Sequence, residues 1–169
     1  EITFGDNCFI LENQTIQNGV KIGNNVMIWS SNHIGHMTEI GDHTYISSHV
    51  VISGHCKIGS RCFFGVNSAV ADFLKIEDDC FIGSRCIVVE GVKVGKEAVL
   101  GANVVLTMST KIIDISGDEA IEYRGEVPER SVVIPGTIPK TFKSGTYNVP
   151  CSLIIGKRKA CSKSDPASV

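Results

Sequence analysis

Large apolar residues recur at every sixth position of this chain. The series runs without a change of phase from Phe4 through Ile22, Ile40 and Ile58 to Ile112, and all nineteen of its positions are apolar. A six-residue period does not suit an α-helix, because 3.6 residues per turn would spread the series around the helix axis. It suits short strands separated by tight corners, so the pattern predicts an all-β fold.

Two further positions follow the same period. Glycine often comes directly after the large residue, as at Gly23, Gly41 and Gly59, and a small or β-branched residue often stands four places after it. We expect the large residue to fill the interior, the small one to pack beside it, and glycine to relieve steric crowding at the corner. Three such faces make one coil of a hexapeptide-repeat parallel β-helix. The coils from Phe4 to Ile112 would stack into a prism about 29 Å long.

The end of the period predicts how the chain is organised. The expected parts are a hexapeptide-repeat β-helix (1–113), a C-terminal loop and strand cap (114–160) and a disordered tail (161–169). Within the cap we expect a polar loop, a short strand ending in a Pro-Gly turn, and a second strand, at Asp114–Gly125, Ser131–Gly136 and Cys151–Ile155. A β-helix needs its open end covered, and this is the role that we expect of the cap.

Composition and charge limit the partners and the cellular compartment that we expect for this protein. The 169 residues carry 16 Lys and Arg against 18 Asp and Glu, a formal net charge of −2. There is no long basic run, so neither nucleic acid nor a membrane is expected as a partner. Seven cysteines, an odd number at scattered spacings, indicate free thiols in a reducing, cytoplasmic setting.

The hexapeptide frame also predicts where the cysteines lie. Five of them occupy the small inward position, at Cys8, Cys56, Cys62, Cys80 and Cys86. We expect buried small side chains rather than metal ligands or redox groups. Cys62 and Cys80 lie one coil apart and are the pair to inspect for a bond, although stacked coils hold their Cβ atoms too far apart for a relaxed disulfide.

All five histidines lie within a short segment, at His33, His36, His43, His49 and His55. None occupies an inward position, so all should face outward or lie at corners, most of them as solvated surface groups. His33 and His36 have the spacing of a metal pair, but no carboxylate or thiolate accompanies them, and we expect no metal site.

Stacking places residues eighteen apart above one another. Ser48, Val66, Ser84 and Ala102 therefore form a column of small side chains along one corner, while His36 belongs to a different column. Such a track could hold an extended cofactor against the backbone, and a histidine of a second subunit could complete the site within a trimer. The alternative is that small residues merely suit a crowded corner.

The hexapeptide run resembles the left-handed β-helix acyltransferases, which use acyl-CoA and work as homotrimers with active sites between subunits. Residues 22–74 are similar to the sugar O- and N-acetyltransferases of this superfamily. The motif of that branch is a histidine followed four residues later by Ile-Gly-Asp or Ile-Gly-Glu, and here His36 is followed by Ile-Gly-Asp at positions 40–42. The resemblance implies that the fold is left-handed and that His36 is the general base.

The same resemblance implies contacts with the acyl donor. The acetyl-CoA contacts of that branch fall on Tyr45, Val66 and Ser84, two of which belong to the small column. The chain also departs from the branch at two positions. Met37 stands where an acidic residue follows the base, and Tyr45 stands where the cofactor contact is commonly a histidine.

The second half of the chain resembles a different branch. Residues 75–160 are similar to tetrahydrodipicolinate N-succinyltransferase, with the segments IEDDCFIGSRCIVVEGV, GANVVLTMSTKIID and VPERSVVIPGTIPK. The acceptor motif of that enzyme would fall on residues 27–35, where Trp29 replaces its acidic residue. Because the two resemblances meet in phase near residues 74–76, we interpret the chain as a possible hybrid of two β-helices, natural or engineered.

These observations lead to an expected mechanism. His36 would remove a proton from the acceptor as it attacks the thioester directly, while backbone N–H groups near Gly65 or Gly83 hold the thioester oxygen. Asn32 and His33 would orient the acceptor. Further cofactor contacts are expected from the column at Ala102 and, on the CoA phosphates, from Lys157 and Arg158.

Three functions stay open at this point. The first is an acetyltransferase that uses acetyl-CoA and a sugar-like acceptor. The second is a succinyl-CoA-dependent relative of tetrahydrodipicolinate N-succinyltransferase, which Trp29 disfavours. The third is an engineered or hybrid structural β-helix without turnover.

Overall fold

Short parallel strands wind into a three-sided coil in the computed structural model, which describes residues 1–89 and 91–159. These residues form a left-handed parallel β-helix with an antiparallel hairpin near its C-terminal end, and no α-helix occurs among them. The predicted fold class is confirmed. The predicted tail, 161–169, lies outside the described residues.

Three sheets form the faces of the prism, here called faces A, B and C. Face A consists of β1 (Thr3–Phe4), β4 (Lys21–Ile22), β7 (Glu39–Ile40), β10 (Lys57–Ile58), β13 (Lys75–Ile76), β16 (Lys93–Val94) and β21 (Glu126–Val127). Face B consists of β2 (Phe9–Ile10), β5 (Met27–Ile28), β8 (Tyr45–Ile46), β11 (Phe63–Phe64), β14 (Phe81–Ile82), β17 (Val99–Leu100), β22 (Ser131–Phe142), β23 (Gly145–Lys157), β19 (Ile112–Asp114) and β20 (Ile121–Tyr123). Face C consists of β3 (Thr15–Ile16), β6 (His33–Ile34), β9 (Val51–Ile52), β12 (Ala69–Val70), β15 (Ile87–Val88) and β18 (Val105–Leu106). The corners are named by the faces that they join.

The large apolar residues line the interior as the period predicts. Strands pair in parallel with the strand eighteen residues on, so that Ile22 lies beside Ile40 and Ile28 beside Ile46. Every large residue of the series from Ile22 to Leu106 is between 0 and 4% exposed. Phe4, in contrast, is 50% exposed, because it lies in the first coil, which is covered on one side only.

The corners use left-handed backbone conformations with strict regularity. Every sixth residue from Asn7 to Asn103 has a positive φ, and fifteen of these seventeen residues are not glycine. Asparagine, which tolerates this conformation better than most residues, supplies five of them. The recurrent glycines stand two residues earlier and lie outside this region, so they serve a different purpose.

That purpose is the close approach of neighbouring coils. A methyl group on Gly41 would lie 2.6 Å from the backbone nitrogen of Ser60 and 2.7 Å from the carbonyl carbon of Gly59. Both atoms belong to the backbone of the next coil and cannot move aside cheaply. The prediction that glycine relieves crowding at the corner therefore agrees with the packing of the coils.

We expect Gly41→Ala to destabilise the protein by about 1–3 kcal/mol, because the added methyl group forces two coils apart. The matched control is Gly156→Ala, since a methyl group on Gly156 would meet no atom within 4 Å. Urea unfolding followed by circular dichroism measures both. Equal midpoints for the two variants would contradict this explanation of the recurrent glycines.

The predicted burial of the inward cysteines is confirmed for Cys56, Cys62, Cys80 and Cys86, while Cys8 in the first coil is half-buried. Their thiols also act as donors toward the next coil. The Sγ atom of Cys56 lies 3.0 Å from the carbonyl oxygen of Ala71, fifteen residues ahead. Cys62 and Cys80 are both free thiols in the structure.

Threonine makes the same contact where it replaces cysteine. The Thr44 hydroxyl donates to the carbonyl oxygen of Gly59 at 3.0 Å and accepts the backbone N–H of Cys62 at 3.2 Å. Burial raises the pKa of the Cys56 and Cys86 thiols, so both stay protonated near neutral pH. These cysteines are therefore structural groups and poor nucleophiles.

The β-helix continues beyond the hexapeptide series. Val94 pairs with Val127 and Leu100 with Val133, so the last coil resumes after an inserted segment. Ile112 is in phase with the series but does not fill the next inward position of face A; it is buried in β19, which pairs with β23 and β20. The six-residue period alone could not distinguish an inward position on face A from a position in β19, because an apolar residue would be buried at either.

The cap contains more strand than predicted. The predicted polar loop, Asp114–Gly125, contains β20, which pairs antiparallel with β19. The strand that begins at Ser131 does not turn at Pro135 but runs on to Phe142 and pairs with β23. Beyond Val133, β22 has β23 as its only neighbour within the described residues, and proline is tolerated in such an edge strand.

Candidate active site

His36 lies at the C/A corner with its side chain exposed, two residues after the end of β6. Its Nδ1 atom is 3.1 Å from Oε1 of Gln17, and its backbone N–H donates to the same oxygen at 2.9 Å. The ring lies over Gly54, where an added methyl group would be 2.7 Å from Cε1. The imidazole is thus held from two sides while it faces solvent.

Two aromatic rings extend this corner. The His55 ring meets His36 edge-on with 4.9 Å between centroids, and Phe73 stacks on His55 at 4.8 Å with an interplanar angle of 4°. Phe73 is 73% exposed and has a φ of 61°, a conformation that is unfavourable for a bulky residue. The imidazole of His36 therefore borders an open aromatic surface. The eighteen-residue spacing of His55 and Phe73 was the sequence signal for this stack.

The two residues predicted to orient an acceptor have different surroundings. His33 is half-buried on the outer side of face C, beside Val51. Asn32 is only 2% exposed: its Oδ1 accepts the backbone N–H of Val50 at 2.7 Å, and its Nδ2 donates to the carbonyl of Trp29. Because its amide is used inside the coil, Asn32 has no free group for an acceptor, and we leave it out of the candidate site.

The small column lies at the B/C corner. Ser48, Val66, Ser84 and Ala102 follow successive strands of face B in register. Here the side chains are too short to reach back to the backbone of a neighbouring coil. At the other two corners, a side-chain oxygen of the next coil accepts the N–H at the equivalent position in several coils, in the pairs Asn24–Asp42, Gly54–Asp72 and Ser60–Asp78.

The B/C corner consequently presents a row of backbone donors. Within residues 1–89 and 91–159, the N–H groups of Val66, Ser84 and Ala102 donate to no protein acceptor. Successive donors lie one coil apart, which is about 4.8 Å. The column of small residues was the sequence signal for this row of donors.

The N–H groups near Gly65 and Gly83 that could hold a thioester oxygen are those of the following residues, because the amides of the two glycines themselves are used. The N–H of Gly65 donates to the carbonyl of Ile82 at 2.7 Å, and that of Gly83 donates to Leu100 at 2.8 Å. These donors belong to the ladder between coils and cannot hold a thioester oxygen. Gly65 instead lets the coils approach, since a methyl group on it would lie 2.4 Å from the backbone nitrogen of Ser84.

Tyr45 belongs to an aromatic ladder on the outer side of face B. Its ring stacks on Phe63 with 5.3 Å between centroids, and Phe63 stacks on Phe81 at 4.7 Å. Trp29 approaches Tyr45 from the preceding coil at 6.4 Å. This ladder borders the B/C corner, so the predicted cofactor contact at Tyr45 lies on the face next to the row of donors.

The three faces differ in polarity. Face A presents charged side chains, at Lys21, Glu39, Lys57, Lys75, Lys93 and Glu126. Faces B and C present mainly apolar ones, including the exposed residues Phe9, Phe81, Val51, Ile87 and Val105. The two apolar faces meet at the B/C corner.

The predicted phosphate contacts lie at another edge. Lys157 donates to the hydroxyl of Ser131 at 2.9 Å, and Arg158 donates to the carbonyl of Asp79 at 2.9 Å, at the A/B corner. Both side chains are exposed. Within one chain, the structure therefore places the histidine, the row of donors and the basic pair at three different corners.

Among the described residues, no group of three or more His, Cys, Asp or Glu side chains has the arrangement of a metal site. Nor does any helix in residues 1–89 or 91–159 have the length and apolarity needed to cross a membrane.

Comparison with known proteins agrees with this architecture. The family model described as "Hexapeptide repeat of succinyl-transferase" matches residues 56–70 and 74–108. These segments of the chain are thus similar to the hexapeptide repeats of that family. The family match covers the middle coils, including Val66, Ser84 and Ala102 of the small column.

Two curated relatives match a short part of this chain. The 2,3,4,5-tetrahydropyridine-2,6-dicarboxylate N-succinyltransferase of Wigglesworthia glossinidia brevipalpis is 41% identical over 54 residues, and that of Ralstonia nicotianae is 44% identical over 54 residues. Each match covers 32% of this chain and 18% of the relative. The chain thus matches less than a fifth of the length of these enzymes.

Solved structures share the fold. PerB from Caulobacter crescentus, in complex with CoA and GDP-perosamine, is 23% identical with a TM-score of 0.63, covering 75% of this chain and 53% of that one. A mutant of perosamine N-acetyltransferase from the same organism is 22% identical with a TM-score of 0.62, covering 75% and 52%. UDP-N-acetylglucosamine acyltransferase from Campylobacter jejuni is 16% identical with a TM-score of 0.51, covering 72% and 62%.

Proposed function

We propose that this chain is the β-helix of an acyl-CoA-dependent acyltransferase that transfers an acetyl group to a hydroxyl or amine of a sugar-like acceptor. The observation that carries the proposal is the row of backbone N–H groups at Val66, Ser84 and Ala102, which donate to no acceptor within the described residues. The pantetheine arm of CoA is extended and contains amide carbonyls, so it is complementary to a narrow track of backbone donors. The CoA and GDP-perosamine bound to PerB, which has the same fold, support this choice of donor and acceptor class.

His36 is the proposed general base. Its exposed imidazole takes the proton of the acceptor hydroxyl or amine as that group attacks the thioester carbon. The thioester oxygen becomes negative in the transition state and accepts a hydrogen bond from a corner N–H such as that of Val66 or Ser84. When the carbon–sulfur bond breaks, the imidazolium returns its proton to the CoA sulfur. His33 helps to orient the acceptor.

The geometry favours a site shared between copies of the chain. His36 lies at the C/A corner and the donors lie at the B/C corner, so one chain alone does not bring them together. Faces B and C present apolar side chains that association would bury, whereas the charged face A suits solvent. We propose a homotrimer in which His36 of one subunit meets the donor track of the next, and in which Lys157 and Arg158 approach the CoA phosphates.

A succinyl group is the second candidate for transfer. Both curated relatives are N-succinyltransferases, and they are 41% and 44% identical to this chain over 54 residues. The proposed donor track would serve either acyl-CoA, because it contacts the common pantetheine arm.

With either donor we propose a reducing, cytoplasmic setting, which the free thiols of the inward cysteines support.

Binding of CoA thioesters by the full chain tests the proposal. We expect saturable binding of acetyl-CoA or succinyl-CoA by calorimetry, and we expect Ser84→Trp to weaken it at least about tenfold by filling the track. Ser60→Trp is the matched control, because Ser60 has the same place in its hexapeptide at the A/B corner. An acceptor panel with both donors then separates acetyl from succinyl transfer. The absence of saturable binding would contradict the proposal and favour a purely structural β-helix.

A further inference from the structure

We propose that Gln17 is a positioning residue that fixes His36 in the tautomer with its proton on Nδ1. The consequence for catalysis rests on the proposed function, since it concerns the proposed base. The contact itself can be tested without any reaction. Gln17 lies in the preceding coil, nineteen residues before His36.

The hydrogen bonds identify which atom of the Gln17 amide faces the histidine. The backbone N–H of His36 can only donate, so the amide atom 2.9 Å from it must be the oxygen. That oxygen can only accept, and it lies 3.1 Å from Nδ1 of the same residue. Nδ1 must therefore carry a hydrogen, and in the neutral ring this leaves Nε2 unprotonated and able to accept a proton.

The rest of the corner holds the ring in this orientation. Gly54 provides room for the imidazole, since any side chain there would collide with Cε1 at 2.7 Å. The His55 ring packs edge-on at 4.9 Å. An amide oxygen, a backbone surface and a second ring thus restrict His36. Gln17 thus provides a hydrogen-bond partner for the ring, whereas Met37, at the position where the resembled branch has an acidic residue, has no such group.

Glu77 offers a matched control elsewhere in the chain. Like Gln17, it occupies the position directly after a strand where glycine recurs, and its Oε2 accepts the backbone N–H of the residue nineteen places ahead, Lys96, at 3.1 Å. No imidazole is involved at that corner. Glu77 also pairs with Lys75 and Lys93, so its replacement, like that of Gln17, removes contacts with a neighbouring coil.

The first experiment is nitrogen NMR of protein labelled with 15N in its histidine rings, with the His36 signals assigned by their absence in His36→Asn. We expect wild-type His36 to show a protonated Nδ1 and an unprotonated Nε2. In Gln17→Leu the neutral ring should shift toward the Nε2-protonated form, which free imidazole side chains prefer. Glu77→Leu should leave the signals of His36 unchanged. A wild-type His36 protonated on Nε2, or an unchanged tautomer in Gln17→Leu, would overturn the proposal.

The second experiment measures acyl transfer against pH. Gln17→Leu should lower kcat by about 10–100-fold with little change in the KM for the acyl-CoA, as is usual for an orienting partner. Gln17→Glu should restore most of the rate and move the acidic limb of the profile to higher pH, because a carboxylate favours the imidazolium. Equal profiles for Gln17→Leu and Glu77→Leu would also overturn it. If no variant transfers an acyl group, the proposed function fails, and the NMR result alone decides the role of Gln17.

Discussion

Replacing His36 with alanine is expected to reduce acyl transfer by about 10²–10⁴-fold in kcat/KM, the usual contribution of a general base. The acceptor then has no group to take its proton at the moment of attack. Binding of CoA should change little, because the proposed contacts with CoA come from the backbone N–H groups of the donor track and not from the imidazole of His36. Initial rates from free-thiol release, together with calorimetric titration of CoA, measure the two effects separately.

The control for this experiment is His43→Ala. His43 is an exposed histidine at the A/B corner and lies in the same left-handed backbone region as other corner residues, with a φ of 60°. It should retain full activity. If His36→Ala turns over at the wild-type rate, then His36 is not the base, and the proton must go to another group or to water. If both variants lose activity, the loss reflects damage to the coil.

The interior of the β-helix could be predicted almost entirely from the sequence. Each inward position is set by one large side chain, and the period of six is too regular to fit another fold. The backbone conformations at the corners were harder to predict. The sequence drew attention to Gly23 and Gly41, but the left-handed residues lie two places later, at Asn25 and His43. The recurrence of asparagine at this position was the available signal.

The C-terminal segment shows the limit of periodicity. Ile112 continues the series in phase, yet Val127 takes the next inward position on face A. A pattern of apolar residues reports burial, and it cannot say which strand a buried residue pairs with when a long insertion intervenes. The hairpin of β22 and β23 was hidden in the same way, because Pro135 and Gly136 resemble a turn in sequence and are accommodated at the edge of a sheet.

The candidate site was only partly predictable, for a related reason. The column of small residues follows from the eighteen-residue spacing, so Val66 and Ser84 could be placed together. The contact of Gln17 with His36 joins residues nineteen apart and depends on the reach of a side chain. Asn32 shows the same limit, because its amide forms hydrogen bonds with the backbone inside the coil, which its place in the sequence does not reveal. Hydrogen-bond partners of this kind require coordinates.

The largest effect on stability is expected from Phe64→Ala, at about 3–5 kcal/mol. Phe64 is fully buried in a central coil, between Ile46 and Ile82 of the neighbouring coils. Alanine would leave a cavity that short strands cannot close, because each is held in register by strands on both sides. Guanidinium unfolding, followed by circular dichroism, should show a lower midpoint.

Phe73→Asn provides the comparison that makes this result interpretable. It removes the same aromatic ring from a position that is 73% exposed and has a φ of 61°, where asparagine is well tolerated. We expect a change within about 0.5 kcal/mol, as for other surface substitutions. A large loss for Phe64→Ala alone means that the inward residue stabilises the coil through burial. Comparable losses in both variants would mean that aromatic content matters more than the inward position, which would contradict the six-residue pattern as the basis of this fold.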